Sequence, residues 1–239
     1  MRLLITRPLP DAEVFARHIA GLGHEAVIAP VMEVRTHSGP PILLDGVQAV
    51  LATSANGIRA LAERTTRRDV TIYAVGPQTA EAAASACFGH VHNAAGDANA
   101  LVEFVANHAD PKDGPLLHAA GEETAGRLRE ALKARGFEVE TAVLYDAHPA
   151  AELPAVAAQA LREDALDGVL LFSPRSAKTF ASLVAAAELA NSCEKLTAFC
   201  ISAATAAALA PLTFARMAVA GAPNQEAMLA LLSPPRDNP

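Results

Sequence analysis

Val50-Leu51-Ala52-Thr53-Ser54-Ala55-Asn56-Gly57-Ile58 is an apolar run that ends in hydroxyl residues and opens into a helical pattern. Later in the chain Leu170-Leu171-Phe172-Ser173-Pro174-Arg175-Ser176-Ala177 repeats it. Next in order, Tyr73-Ala74-Val75-Gly76-Pro77-Gln78-Thr79-Ala80 is matched by Phe199-Cys200-Ile201-Ser202-Ala203-Ala204-Thr205-Ala206. A looser pair sets 94–101 beside 220–228, each a small-residue turn leading into a helix. Blocks that recur in the same order argue for internal duplication. Each block is a strand, a small polar residue and a helix, so the duplicated unit is α/β with a parallel sheet.

Outward from these blocks the alternation continues. Leu3-Leu4-Ile5-Thr6 is a buried strand closed by Arg7-Pro8. Val14, Phe15, Ile19 and Leu22 then fall at helical spacing, and Gly23 stops the helix. A second strand over 26–29 completes a β–α–β unit. Gly39-Pro40-Pro41 marks a crossover. Beyond it, strands over 47–52, 71–75, 90–93, 115–119 and 139–145 alternate with helices over 55–64, 77–86, 98–107 and 124–135. That is a complete flavodoxin-like set. After His148-Pro149 come helices over 156–162, 177–187, 203–209 and 225–232, with strands over 168–172, 198–201 and 215–219. These strands need the two from residues 1–30 to make a second set. The expected fold is therefore α/β, with two similar flavodoxin-like parallel-sheet domains, the second inserted into the first. One domain is discontinuous, 1–36 and 150–239, and the other spans 40–146. A two-segment linker joins them near 31–37 and 144–148, with the active site expected in the cleft between them.

A chain of 239 residues suits two domains of roughly 100–120 residues each. With 51% hydrophobic and 19% charged residues, it has ample core material for both. The formal net charge is −7 and Lys and Arg are scattered, so the basic stripe that nucleic-acid binding needs is missing. Cys87, Cys193 and Cys200 are odd in number and never spaced C-x-x-C, which favours a reducing compartment over a disulfide framework or zinc knuckle. No signal-peptide pattern opens the chain, and no breaker-free apolar stretch of about 18 residues reads as a membrane span. A cytoplasmic protein is the expectation. The lack of long apolar interface helices points to a monomer.

Several functional classes fail on their motifs. His90 and His92 would share a strand face, but no third ligand lies nearby, so no metal site is expected. Gly21-Leu22-Gly23 follows a helix instead of a strand and is no dinucleotide fingerprint. No phosphate-loop Gly-Lys-Ser/Thr is present. Thr6-Arg7-Pro8 occupies the place of a receiver domain's acidic pair, and no nucleophile elbow with a Ser-His-Asp order is found.

Ser54, Ser173 and Ser202 are natural N-caps, since a hydroxyl there accepts from an N–H two or three residues on. Pro77 and Pro174 suit the first helical position. These residues serve simply to start helices, or they build a site. In favour of a site, ligands of open α/β sheets bind at the carboxyl edge, where helix-start amides favour carboxylates and phosphates. An acidic protein can hold a polyanion in that way.

At these residues the chain resembles the uroporphyrinogen-III synthase family. The resemblance runs through Leu4-Ile5-Thr6-Arg7-Pro8, Thr53-Ser54-Ala55-Asn56-Gly57, Ala74-Val75-Gly76-Pro77-Gln78-Thr79-Ala80 and Val143-Leu144-Tyr145. It continues in Phe172-Ser173-Pro174-Arg175-Ser176-Ala177 and Cys200-Ile201-Ser202-Ala203-Ala204-Thr205-Ala206-Ala207. It implies a reaction that uses no metal or organic cofactor. Hydroxymethylbilane, a linear tetrapyrrole with eight carboxylates, loses water and closes with its last ring inverted. It also implies transient contact with the enzyme that makes that substrate.

The resemblance makes Tyr145 the proton donor or water-positioner, a role a phenol can fill; the alternative is a strand tyrosine packed in the linker. Ser54, Asn56, Ser173, Ser176 and Ser202 become substrate contacts. Thr79 and Thr205, at matching places in the repeat, bond substrate carboxylates or else pack in the first helical turn. Arg7 and Arg175 are the cationic candidates, against the alternative of solvated surface arginines. The chain departs from the family at Ser202-Ala203, where relatives often have Gly-Pro, and after Gly121, where Glu122-Glu123-Thr124-Ala125 replaces a common basic residue. A rival from another class is a non-catalytic two-domain protein that closes on a small anion.

Overall fold

The computed structural model describes residues 1–122 and 127–232. The first leg of the chain gives β1 (Arg2–Ile5), α1 (Asp11–Gly21) and β2 (Glu25–Ile28), followed by β3 (Met32–Thr36). Then come β4 (Ala49–Ala52), α2 (Ala55–Arg64), β5 (Thr71–Ala74), α3 (Pro77–Ser85), β6 (His90–Asn93), α4 (Ala98–His108) and β7 (Leu116–Gly121). Next are α5 (Arg127–Lys133) and the long β8 (Val139–Pro149). The return leg holds α6 (Ala155–Arg162), β9 (Gly168–Leu171), α7 (Pro174–Ala186), β10 (Thr197–Cys200), α8 (Ala203–Ala207), β11 (Arg216–Val219) and α9 (Gln225–Ala230). A 3-10 segment, Ala190–Lys195, precedes β10.

The chain divides into two compact units. One contains Met1–Glu33 and the described residues from His148 onward, and the other contains Val34–Ala147. In the first unit a five-stranded sheet has the order β11-β10-β9-β1-β2, with every pairing parallel. Its three central strands, β1, β9 and β10, are short apolar runs buried on both faces, as a parallel sheet covered by helices requires. Leu3, Ile5, Leu170 and Phe199 meet Phe15 and Ile19 of α1 in one cluster. In chain order this is the flavodoxin arrangement, and its switch point lies between β1 and β9.

The second unit's sheet has the order β3-β8-β7-β4-β5-β6. Strands β4 to β8 pair in parallel. One face carries Val50, Ile72, Leu117 and Leu144 beneath α2 and α3, and the other packs Leu51, Leu116 and Val139 against Leu101 and Leu132. The five parallel strands keep the spatial plan of the first unit, yet in chain order they begin at the middle one, β4, after β3 has taken the sheet's edge. Its order is the other doubly wound one, and its switch point lies between β4 and β7.

Within the connecting segment 31–37, Met32-Glu33-Val34-Arg35-Thr36 forms β3 at the edge of the second sheet beside β8. Hydrogen bonds from His37 N to Leu144 O (2.7 Å) and from Ala150 N to Val31 O (2.9 Å) set the two strands antiparallel. The polar alternation of this segment fits an edge strand whose outer face meets water. Both chain crossings, at Glu33/Val34 and Ala147/His148, therefore fall within strands.

Candidate active site

The three capping serines behave as their local sequence dictates. Ser54 Oγ accepts from Asn56 N (3.1 Å), Ser173 Oγ from Ser176 N (3.1 Å) and Ser202 Oγ from Thr205 N (3.2 Å). Each serine sits in extended backbone at a strand end and satisfies one helix-start amide. A serine oxygen used in this way keeps its own O–H for a further acceptor. At α3 the helix starts differently: Gly76 supplies no side-chain cap and Pro77 holds the first turn. The duplicated starts at Gly76 and Ser202 therefore present different groups, an open amide turn in one and a hydroxyl-capped turn in the other.

Three of the threonine and serine candidates lie under these turns. Thr79 and Ser176 are both 5% exposed and Thr205 is 0% exposed. Thr205 Oγ1 lies 3.0 Å from Ser202 Oγ, and Ser176 Oγ contacts Ser173 Oγ. Ser54, Asn56, Ser173, Arg175 and Ser202 are partly exposed. Asn56 Oδ1 accepts from the Arg59 guanidinium.

Arg7 is not a solvated surface arginine. It is 9% exposed, with its guanidinium 4.6 Å from the centroid of the Phe172 ring. It is 3.5 Å from Asp11 Oδ2, one helical turn on, and 3.4 Å from Gln225 Oε1. At the switch point of the first sheet, Arg7 thus braces the ends of β1 and β9.

In the second unit it is the ring of Tyr145, from β8, that lies beside the switch-point residues Gly57 and Gly121. The register of β7 and β8 runs Ala119 to Ala142 and Ala120 to Val143, then jumps to Gly121 opposite Tyr145. This bulge skips Leu144 and re-aims the next side chain, a device common beside functional sites. As a result two successive residues, Leu144 and Tyr145, enter the same core cluster. The ring rests on two glycines. A Cβ on Gly121 would lie 2.6 Å from Tyr145 Cζ and 2.9 Å from its hydroxyl oxygen, and a Cβ on Gly57 would lie 3.7 Å from Cε1. Tyr145 is 8% exposed, and its hydroxyl has no hydrogen-bond partner among the described residues. The end of β3 grips the strand on either side: His37 N reaches Leu144 O, His37 Nδ1 lies 3.4 Å from Val143 O, and His37 Nε2 lies 3.2 Å from Asp146 Oδ2.

Sequence reasoning missed four contributors: Gly57, Gly121, His37 and His118. His118 is fully buried on β7 and 3.4 Å from Thr53 Oγ1, and burial pushes its imidazole down to about 4. A histidine within the apolar run Leu116-Leu117-His118-Ala119-Ala120 was the available signal. Gly57 and Gly121 carry no signal of their own, because the ring they accommodate comes from a distant strand. The expectation about Glu122-Glu123-Thr124-Ala125 falls largely outside the described residues.

A groove of about 640 Å³ in the second unit lies elsewhere. Gly39, Leu43, Arg64 and Arg67 help line it, at the amino edge of the sheet. Its arginines staple the crossover loop, Arg64 to Pro40 O (2.8 Å) and Arg67 to Leu44 O (2.9 Å). Among the described residues no His/Cys/Asp/Glu group is arranged to hold a metal, and no helix is long and apolar enough to cross a membrane.

A family model described as uroporphyrinogen-III synthase HemD matches residues 13–230. The chain belongs to the uroporphyrinogen-III synthase family. The structure of uroporphyrinogen-III synthetase from Helicobacter pylori is similar, with a TM-score of 0.61 at 18% identity over 97% of this chain and 98% of that one. A mutant uroporphyrinogen III synthase from Thermus thermophilus matches with a TM-score of 0.49 at 17% identity, over 97% of both chains. Among curated proteins, none matches this chain significantly. The Helicobacter pylori likeness shows a shared two-domain α/β fold. The family is one of cyclising lyases in tetrapyrrole formation. With the family shown, the bulged tyrosine and the capped turns acquire a specific chemistry to be tested.

Proposed function

We propose that this chain converts hydroxymethylbilane to uroporphyrinogen III, with loss of water and inversion of ring D. The observation that carries this reading is the family match over residues 13–230. The chemistry asks little covalent help of the protein. A proton must reach the departing hydroxyl, the azafulvene cation must be attacked at the substituted ring-D carbon, and a spiro intermediate must open and reclose. Because the substrate also closes unaided to the unrotated isomer, the enzyme acts by holding one conformation of the chain, where orientation is worth several kcal/mol.

In this reading Tyr145 delivers the proton or positions the water. Its hydroxyl has no other partner among the described residues, and the bulge and two glycines fix the ring. Ser54, Asn56, Ser173, Arg175 and Ser202 present hydroxyl, amide and cationic groups to the substrate carboxylates. Thr79, Ser176 and Thr205 order the turns from beneath, and Arg7 braces the first switch point. Cysteines 87, 193 and 200 are all free, and burial pushes the Cys193 and Cys200 thiols up to about 11. That inertness fits a monomer in a reducing cytoplasm. Since the substrate cyclises unaided, transfer during transient contact with the enzyme that makes it would limit loss to isomer I.

The deciding experiment incubates purified protein with enzymatically generated hydroxymethylbilane and resolves the isomers. Isomer III in excess is expected. Isomer I alone, at the unaided rate, would overturn the reading in favour of a binding protein.

A further inference from the structure

The two sheets have matching strands, which allows each position of one to be compared with its counterpart in the other. Aligning the capping residues Ser54 and Ser173 sets β4 on β9, β5 on β10, β6 on β11, β7 on β1 and β8 on β2. One row of side chains across the first sheet, in register, is Ala218, Phe199, Leu170, Ile5 and Ile28. The same row across the second sheet is His92, Tyr73, Leu51, His118 and Thr141. A wholly apolar row has become polar at four places. Where Ile5 is fully buried in one copy, a fully buried imidazole stands in the other.

The polar atoms of this row are unevenly satisfied. Tyr73 Oη donates to His108 O (3.3 Å), and its ring lies against His92 and Phe104. His118 Nδ1 and Thr141 Oγ1 are buried without partners among the described residues. An imidazole left half-satisfied is less favourable than a paired one, and the first unit shows that an aliphatic residue fills the place. What the histidine adds is its other nitrogen, 3.4 Å from Thr53 Oγ1. Thr53 directly precedes the capping Ser54 at the switch point. Its counterpart Phe172 is held differently, by Arg7 over its ring and by the edge of Phe15 at 4.9 Å.

We propose that His118 is a positioning residue: through Thr53 it sets the Thr53-Ser54-Ala55-Asn56 turn in the geometry that meets substrate carboxylates. The inference rests on the reading of that turn as a substrate contact. His118 touches no reacting atom and acts only through Thr53. The neutral ring suits the task, since it leaves Nε2 free to take or give the threonine proton without placing a buried charge beneath an anion site.

The test compares H118L, H118Q, T53V and the H118L/T53V double variant. Leucine suits the site because Ile5 fills its counterpart, and melting curves confirm that each variant folds. Steady-state formation of isomer III should show KM raised roughly three- to tenfold in H118L and in T53V, the value of one lost hydrogen bond, with kcat little changed. The double variant should be no worse than either single one, and Gln, whose amide reaches the Nε2 position, should restore most of the loss. Unchanged KM in H118L, additive losses, or a Gln variant no better than Leu would each overturn the proposal. Amide exchange at Asn56, whose N–H bonds Ser54, gives a second readout independent of activity. It should quicken in H118L and T53V and recover in H118Q; wild-type protection in H118L would equally overturn the proposal. If wild-type protein makes no isomer III, the synthase reading fails and the kinetic claim with it, while the exchange arm still decides whether His118 sets the turn.

Discussion

Gly121→Ala places a methyl group directly against the tyrosine ring. Gly121 has no positive φ, so the substitution strains no backbone and its whole effect runs through the contact. The added Cβ would lie 2.6 Å from Tyr145 Cζ, 2.8 Å from Cε2 and 2.9 Å from the hydroxyl oxygen. Carbon atoms rest about 3.5–4.0 Å apart, so the ring must retreat by roughly 1 Å. Gly57, on the helix side, limits that retreat, because α2 is seated with a Gly57 Cβ position only 2.5 Å from Ala119 O. Overpacking of this kind costs about 1–3 kcal/mol of stability. A misplacement of about 1 Å at a reacting group costs on the order of 100-fold in rate. The assay pairs chemical denaturation with single-turnover formation of isomer III. Near-ultraviolet circular dichroism follows the ring, since the chain has no tryptophan and only two tyrosines. G121A should lose turnover far in excess of its loss of stability, and G121A combined with Y145F should be no slower than G121A alone. Wild-type turnover in a folded G121A protein, with the tyrosine signal unchanged, would refute the view that Gly121 seats a functional Tyr145.

Tyr145→Phe should lower turnover at least several-fold with folding intact, and wild-type activity in that variant would remove Tyr145 from the mechanism. Ser173→Ala should cost about 1 kcal/mol of stability by calorimetry and Ser173→Gly only a few tenths; equal losses of turnover in the two would show that the hydroxyl contacts substrate and does more than cap α7. The fully buried His118 has its folded value lowered from 6.5 to about 4 by burial. Between those values the unfolded chain binds a proton that the folded chain refuses, so stability is fully present above pH 6.5 and falls as pH drops toward 4. The loss amounts to about 3 kcal/mol, and urea titrations across that range should show the acid limb flattened in H118L.

The capped turns were legible in the sequence because they are local. A serine at the end of an apolar run, two or three residues before a helix-start amide, makes its bond whatever the rest of the fold does, and Ser54, Ser173 and Ser202 all do so. Strand β3 was not legible. Met32-Glu33-Val34-Arg35-Thr36 is a strand only because β8, from the far end of the inserted segment, lies beside it. The burial of Arg7 had no local sign either, since it depends on Phe172 and Gln225 arriving from the return leg.

Sequence alone determined the α/β class, the duplicated strand–serine–helix block and the residue types at each carboxyl edge, all of which follow from periodicity and short-range hydrogen bonding. Only tertiary structure decided which strands flank each switch point, that the parallel strands of the second sheet begin at the middle one, and where Tyr145 points. The reason is physical: a side chain's direction at a strand end depends on register, and a single skipped residue opposite Gly121 turned the tyrosine into the core.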